Sequence, residues 1–318
     1  MIQIAVLDDY QGIALAIADW GSLGRDVRTC ALAEPLADAQ DAAARLREFD
    51  ILVAMRERTP FPRALLEQLP RLRLLVTTGM RNAAIDVKAA VERGVVVCGT
   101  DMLPYPTAEL TWGLILALAR HIPREDRALR EGSWQTSLGI GLRGKTLGML
   151  GLGRLGGEVA RIGKAFQMDV IAWSENLTAE RAATIGATRV EKEELFRRAD
   201  IVTIHPVLSA RTRGLVGAAE FAAMKPTAYL VNTSRGPVVD ERALLAALEG
   251  QRIAGAALDV YDREPLPRDH PLRRLDNVVM TPHLGYVTVE NYRLAYGQAV
   301  EDVRAFLAGT PIRVLGAR

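Results

Sequence analysis

The sequence predicts an α/β protein built from parallel sheets with helices on both faces, divided into two domains. Three observations carry that prediction. Short apolar runs such as Ile51–Ala54 and Ile201–Ile204 are too brief for helices and recur with helix-period segments between them. Strands that alternate with helices build parallel sheets covered on both faces, so each strand reads as a nearly unbroken apolar run. Finally, a chain of 318 residues is long enough for its core to split in two.

In the first hundred residues, strands are expected at Ile2–Leu7, Val27–Leu32, Ile51–Ala54, Leu74–Thr77 and Val95–Cys98. Helices are expected at Ala39–Arg47, Phe61–Leu69 and Val87–Arg93. Met102-Leu-Pro-Tyr-Pro106 breaks the alternation, and Thr107–Arg120 reads as a long apolar helix with Thr107 as its N-cap. So apolar a helix needs a cover, either a second subunit or the core of its own domain. Strands follow at Thr146–Leu150, Asp169–Trp173, Ile201–Ile204, Tyr229–Val231, Gly255–Val260 and Val278–Thr281, with helices at Lys192–Arg198, Ala218–Met224 and Glu241–Glu249. A last helical stretch, from about Val287 to Leu307, is long enough to return to the first domain. The expected division is 1–103, 104–287 and a return segment 288–318. A chain that leaves one domain and comes back places a cleft, and usually its ligand, between the two.

Composition narrows the partners. Forty basic against thirty-eight acidic residues leave a net charge of +2 with no block of one sign, so no nucleic-acid partner is expected. Cys30 and Cys98 are far apart and in no metal spacing, as expected of small core residues in a reducing compartment. The N-terminus lacks the charged region and cleavage site of a signal peptide, and Leu110–Ala119 is too short to span a bilayer. The expectation is a cytoplasmic protein with no membrane partner.

The stretch Leu147-Gly-Met-Leu-Gly-Leu-Gly-Arg-Leu-Gly156 places Gly151, Gly153 and Gly156 in the spacing G-x-G-x-x-G. Among 27 glycines the spacing alone is weak. It gains weight from the strand before it, the helix-period residues Val159, Ile162 and Phe166 after it, and a second strand on schedule. Gly151 permits the tight turn, Gly153 lets backbone approach a pyrophosphate, and Gly156 allows close helix–strand packing. The helix start then faces the anion with unpaired N–H groups.

Three ionisable residues each follow a strand of this second domain, at the edge where open parallel sheets bind ligands. They are Arg235, Glu264 and His283. A guanidinium grips a carboxylate in a fork, an imidazolium donates a proton to a ketone, and a neighbouring carboxylate favours and orients the charged imidazole. Singly, such an Arg is often a surface cap and such a His a core residue. Together they point to hydride chemistry on a carboxylate-bearing ketone.

Gly151-Leu-Gly-Arg-Leu-Gly156, Val231-Asn-Thr-Ser-Arg-Gly-Pro237, Leu258-Asp-Val-Tyr-Asp-Arg-Glu-Pro265 and Thr281-Pro-His-Leu-Gly285 together resemble the D-isomer-specific 2-hydroxyacid dehydrogenase family. The nearest likeness is to its phosphoglycerate dehydrogenases and glyoxylate/hydroxypyruvate reductases. The resemblance implies a Rossmann-type cofactor domain inserted into a flavodoxin-like substrate domain, a nicotinamide cofactor, and a homodimer. It makes Arg235 the binder of the keto acid, His283 the acid/base and Glu264 its partner. Asp259 would accept from the nicotinamide carboxamide, and Arg154 and Leu155 would hold the pyrophosphate. His205, Thr233, Ser234, Gly285 and Thr107 would complete the cofactor site. His270, in a charged loop, and His121, ending a helix, are read as bystanders.

The chain departs from the family twice. Ser174 stands where an acidic residue would accept from the adenosine ribose, and the segment Ala172–Leu177 offers no Arg or Lys for a 2′-phosphate. Glu175 would oppose that phosphate if it points inward, since one like charge at 4 Å costs about 4 kcal/mol at an effective dielectric near 20. The reading favours NAD and leaves NADP open. The second departure lies in the glycine loop expected to meet the substrate carboxylate, Thr77-Thr-Gly-Met-Arg-Asn82, where Arg81 replaces a common acid. Thr78, Gly79, Met80 and Arg81 are the expected substrate residues there. Arg56, in a segment similar to the Arg-x-x-Thr of phosphoglycerate dehydrogenases, would add a second cation. The bland alternatives are Arg81 as a solvated loop tip and Arg56 paired with Glu57 or Asp50. The chain ends soon after Leu307, leaving no expected room for the regulatory domain that feedback-controlled relatives append. The expected activity is transfer of a hydride between NAD(P)H and a 2-keto acid. The competing readings are a nucleotide-sensing co-repressor-like protein and a formate-oxidising relative.

Overall fold

The computed structural model describes residues 1–316; Ala317 and Arg318, the end of the expected return segment, lie outside the described residues. The chain divides into two compact units, Met1–Leu103 with the chain from Val287 onward, and Pro104–Tyr286. In each, the strands are short and all parallel, and the central ones are apolar.

The first unit holds β1 (Ile2–Val6), β2 (Val27–Ala31), β3 (Ile51–Ala54), β4 (Leu74–Thr77) and β5 (Val96–Gly99), in the sheet order β2-β1-β3-β4-β5. Alternation splits each strand between two faces. Leu52 and Ala54 join Ala5, Leu7, Leu46, Leu65 and Leu75 on one side. The helix Val289–Leu307 belongs to the same unit, packs on β4 and buries Tyr292, Tyr296, Ala299 and Val303. Each such aromatic side chain stabilises the unit by roughly 1.5–3 kcal/mol. Thr288 starts the helix, its hydroxyl accepting the Asn291 N–H.

The second unit holds β6 (Thr146–Leu150), β7 (Asp169–Trp173), β8 (Thr188–Arg189), β9 (Ile201–Ile204), β10 (Tyr229–Asn232), β11 (Gly255–Leu258) and β12 (Val278–Met280). Their order is β12-β11-β10-β9-β6-β7-β8. The chain runs outward from β6 to β8, then returns to lay β9 on the other flank of β6, so the order reverses between β6 and β9. Loops diverge at such a point and leave room for a ligand. The two-residue β8 is an exposed polar edge that apolar periodicity does not signal.

One expectation around the first helix of this unit is corrected. The helix spans Pro106–Ala119, so Pro106 is its first residue and Thr107 lies inside it rather than capping it. Proline at that position loses no helical hydrogen bond, because the first N–H groups have no acceptor anyway. Of the two covers weighed for this helix, its own unit supplies one: Trp112, Leu114, Ile115 and Leu118 are buried within it. Trp112 stacks on Phe166 with centroids 4.8 Å apart and donates its indole N–H to the Val159 carbonyl. Ile122-Pro123 likewise begins a helix, Ile122–Arg130, which the sequence reading missed; His121 links the two helices with a left-handed backbone.

In the first unit, the tail is clamped by a buried ion pair. Leu315 N–H donates to Val97 and the Gly99 N–H to the Arg313 carbonyl. The Arg313 guanidinium donates to Asp302 at 2.9 Å and to Glu301 at 2.8 Å. Asp302 is fully buried and its second oxygen has no hydrogen-bond partner. Burial therefore outweighs the Arg313 charge and pushes the carboxyl up to about 6. A raised pKa favours the folded state fully below the unfolded value and loses that contribution as pH rises through 6. Asp302→Asn should therefore be more stable than the parent at pH 7 and lose that advantage near pH 4, as denaturant unfolding at the two pH values would register.

Candidate functional site

The turn after β6 is shaped by its glycines. Gly151 has φ +95°, and a Cβ there would lie 2.8 Å from the Pro206 nitrogen. A Cβ on Gly156 would overlap the Gly151 carbonyl, whereas Gly153 faces open space. Helix Arg154–Ala165 starts at Gly153 with no side-chain cap, so the N–H groups of Arg154, Leu155 and Gly156 have no acceptor in their own helix. A bare backbone surface beside such donors suits a diphosphate. Beside the turn lies a cavity of about 450 Å³, lined by Gly151, Gly153, Ser174 and His205 and also by Trp173 and Arg211. Its size is that of a small-molecule site, and the cradle fits a dinucleotide.

Ser174 sits just beyond β7, and its Oγ accepts the Leu152 N–H at 2.8 Å, tying the two strand ends together. The His205 ring nitrogen Nε2 lies 2.9 Å from the Thr203 hydroxyl. Burial pulls this imidazole down to about 4, so it lines the cavity as a neutral group.

The ends of β10, β11 and β12 carry Arg235, Glu264 and His283. Asn232 folds the first turn: its amide donates to the Arg235 carbonyl and its oxygen accepts the Ser234 N–H. A Cβ on Gly236 would run into the Tyr261 backbone, so glycine allows this turn to press against the chain leading to Glu264. Glu264 Oε1 accepts the Tyr261 N–H at 2.9 Å, and Oε2 meets His283 Nδ1 at 2.5 Å. Burial alone would raise the Glu264 carboxyl. The hydrogen bond and charge of His283, the Tyr261 N–H and the Arg235 charge outweigh burial and hold it below its ordinary value. The structure thus brings imidazole and carboxylate into contact, with the guanidinium near enough to be felt.

Asp259, expected to accept from the nicotinamide carboxamide, is tied into the chain around His283. It is fully buried; Oδ1 accepts the Thr281 hydroxyl and the Leu284 N–H, both at 2.6 Å, and Oδ2 accepts the Gly285 N–H at 2.8 Å. These bonds bracket His283, whose φ of +56° is costly for a residue other than glycine. Asp259 thereby fixes the backbone on both sides of His283. Several other expected cofactor residues also serve the scaffold. The Thr107 hydroxyl donates to the Gly285 carbonyl, Ser234 Oγ donates to the Pro206 carbonyl, and Thr233 shares a hydrogen bond with Thr111. Sequence reasoning missed Thr111, whose only signal is its place one helical turn after Thr107. It also missed Arg181 and Arg211, which line the cavity near Ser174. The expectation of no basic residue there held only for the adjacent segment.

The expected substrate residues lie in the first unit, after β3 and β4. The Arg56 N–H donates to Thr78 Oγ1 and its guanidinium to the Thr78 carbonyl at 3.4 Å. Asn82 donates to the Arg56 carbonyl and to Thr77, locking the loop. The Thr78 and Gly79 N–H groups already donate to the Ala54 carbonyl and the Thr100 hydroxyl. Met80 and Arg81 are exposed at the tip. Asp50, weighed as an Arg56 partner, is held by Arg71 at 3.1 Å.

Residues 112–285 match the family model of the D-isomer specific 2-hydroxyacid dehydrogenase, NAD binding domain. The chain is 44% identical over 255 residues to a glyoxylate reductase of Aeropyrum pernix, covering 77% of this chain and 76% of that protein. It is 40% identical over 269 residues to a D-3-phosphoglycerate dehydrogenase of Methanocaldococcus jannaschii, covering 83% of this chain but only 51% of that protein. The chain thus matches about half the length of that relative. A crystal structure of a phosphoglycerate oxidoreductase from Vibrio cholerae superposes with a TM-score of 0.92 at 36% identity, covering 97% of this chain and all of that one.

Asp259→Ala would leave Thr281, Leu284 and Gly285 without their acceptor. The expected cost is about 2–4 kcal/mol of stability in this unit, with a smaller loss for Asp259→Asn, measured by chemical denaturation.

Proposed function

The chain belongs to the D-isomer-specific 2-hydroxyacid dehydrogenase family, and from that premise we propose that it interconverts a 2-keto acid and its D-2-hydroxy acid. The observation that carries the proposal is the His283–Glu264 contact of 2.5 Å beside Arg235, on the strand edge that also bears the dinucleotide cradle. NAD(P)H, when bound, supplies the hydride. Arg235 grips the substrate carboxylate, as a guanidinium fork does. Glu264, held ionised, only accepts, so Nδ1 of His283 keeps its proton and the exchangeable proton sits at Nε2. In reduction that proton passes to the ketone oxygen; in oxidation Nε2 takes it from the hydroxyl. Asp259 keeps the imidazole in place, and the backbone from Gly151 to Gly156 holds the pyrophosphate.

In the first unit, the loop from Thr78 to Arg81 serves the substrate, with Met80 and the cation of Arg81 as its accessible part. Arg56 braces the loop from beneath through Thr78. Two relatives named for glyoxylate and for phosphoglycerate support acids that are small or doubly anionic.

The working form is a cytoplasmic homodimer with no nucleic-acid partner, the 2-keto or 2-hydroxy acid being its small-molecule ligand. No helix among the described residues is long and apolar enough to cross a membrane. Support for the dimer comes from the second unit. Helix Ile122–Arg130 has no buried residue, and the stretch after it exposes Trp134 by 77% and Leu138 by 93%. A second copy seated on this stretch would cover both side chains.

His283→Ala should lower turnover by about 10²–10⁴-fold while changing NAD(P)H affinity little; equal losses in both would make His283 structural. Reduction should be fastest where the imidazole is protonated and fall as pH rises, with oxidation rising instead. Glu264→Gln should lower turnover with less effect on NAD(P)H affinity, since the ionised carboxylate that orients Nδ1 of His283 is gone. The substrate itself is tested by NADH and NADPH oxidation with glyoxylate, hydroxypyruvate, pyruvate, 2-oxoisocaproate and 3-phosphohydroxypyruvate; no turnover on any of them would sink the proposal. For the dimer, Trp134→Ala with Leu138→Asp should shift sedimentation from dimer to monomer.

A further inference from the structure

We infer that the cavity beside Ser174 recognises a phosphomonoester on the adenosine ribose, so that this chain prefers NADPH to NADH. The inference rests on the proposed cofactor role of that cavity and deepens it. Three features of this chain carry it.

The charged residues lining the cavity are Glu175, Arg181 and Arg211, two guanidiniums against one carboxylate. Both arginines are exposed, and neither side chain forms a salt bridge or hydrogen bond among the described residues. This distinguishes them from Arg189, which is spent on Glu191 and the Leu177 carbonyl close by. A guanidinium with its donors unspent in a cavity wall is suited to a phosphate, which offers oxygens in the matching fork geometry.

Position 174, at the end of β7, bears a hydroxyl instead of a carboxylate. Its oxygen accepts the Leu152 N–H at 2.8 Å, which leaves the hydroxyl proton available to a further acceptor. A carboxylate here would accept from a ribose diol and repel a phosphate; serine does the reverse. The two arginines come from different segments, Arg181 from the helix Ala179–Ala183 after β7 and Arg211 from the loop after β9. Only the fold brings them to one cavity, so the neighbours of Ser174 in sequence gave the opposite preference.

The test is equilibrium binding to the purified full-length chain, with no substrate present. By isothermal titration, NADPH should bind at least about tenfold more tightly than NADH, and 2′-AMP should bind where 5′-AMP does not at equal concentration. The NADPH preference should shrink with added salt, because the extra contact is ionic and exposed. Arg181→Ala and Arg211→Ala should each lower the NADPH-to-NADH affinity ratio by about tenfold, and Ser174→Asp should reverse it. Tighter or equal binding of NADH overturns the inference and leaves the dehydrogenase reading standing. Failure of both nucleotides to bind overturns both. Arginine variants that weaken the two nucleotides by the same factor also overturn it, since the side chains would then be structural.

Discussion

Everything at the reactive edge depends on one buried carboxylate. Asp259 sits at zero exposure after β11, where an unpaired charge would cost several kcal/mol. Its two oxygens accept from Thr281, Leu284 and Gly285 instead, each bond to a charged group being worth about 1.5–3 kcal/mol. The sum roughly offsets the cost of burial, which still leaves the carboxyl above its ordinary value. What the arrangement yields is geometry. Two consecutive N–H groups immediately after His283 point at one residue, so the left-handed turn that presents the imidazole cannot relax without breaking them.

Parallel topology distributes the remaining work along the same edge. Loops after β6, β7 and β9 enclose the cavity at the reversal of strand order, and those after β10, β11 and β12 carry Arg235, Glu264 and His283 in adjacent positions. Neighbouring parallel strands end side by side, so residues tens of positions apart in sequence become neighbours in space. Gly236 brings the turn bearing Arg235 against the chain approaching Glu264 closer than any side chain would permit.

That edge was legible in the sequence because it depends on short-range signals. Apolar runs located Ile51–Ala54, Leu74–Thr77, Thr146–Leu150, Asp169–Trp173 and Ile201–Ile204 with the bounds the structure gives them. Strand ends then identified the ionisable residues following β10 to β12. What escaped was decided by long-range contact or by positional chemistry. Pro106 and Pro123 read as breaks, yet a proline in a first helical turn starts a helix as readily as it interrupts one. Arg211 reaches the cavity from a different strand than Ser174, and no reading of the segment around Ser174 could include it. Asp259 carried the right residue type at the right strand end, but its partners lie more than twenty positions away.

The two carboxylates near His283 show why residue type alone could not divide their roles. Both interact with the same imidazole, yet their pKa values move in opposite directions: Asp259 upward, Glu264 downward. Burial opposes charge on both. The difference is that Glu264 touches the ring directly and also feels Arg235, whereas Asp259 spends its hydrogen bonds on a hydroxyl and two backbone amides. A carboxylate held ionised against Nδ1 fixes which nitrogen exchanges protons. One locked into the backbone fixes where that nitrogen is. Proton transfer requires both, and the fold obtains them by giving one acid a charged partner and the other only neutral donors.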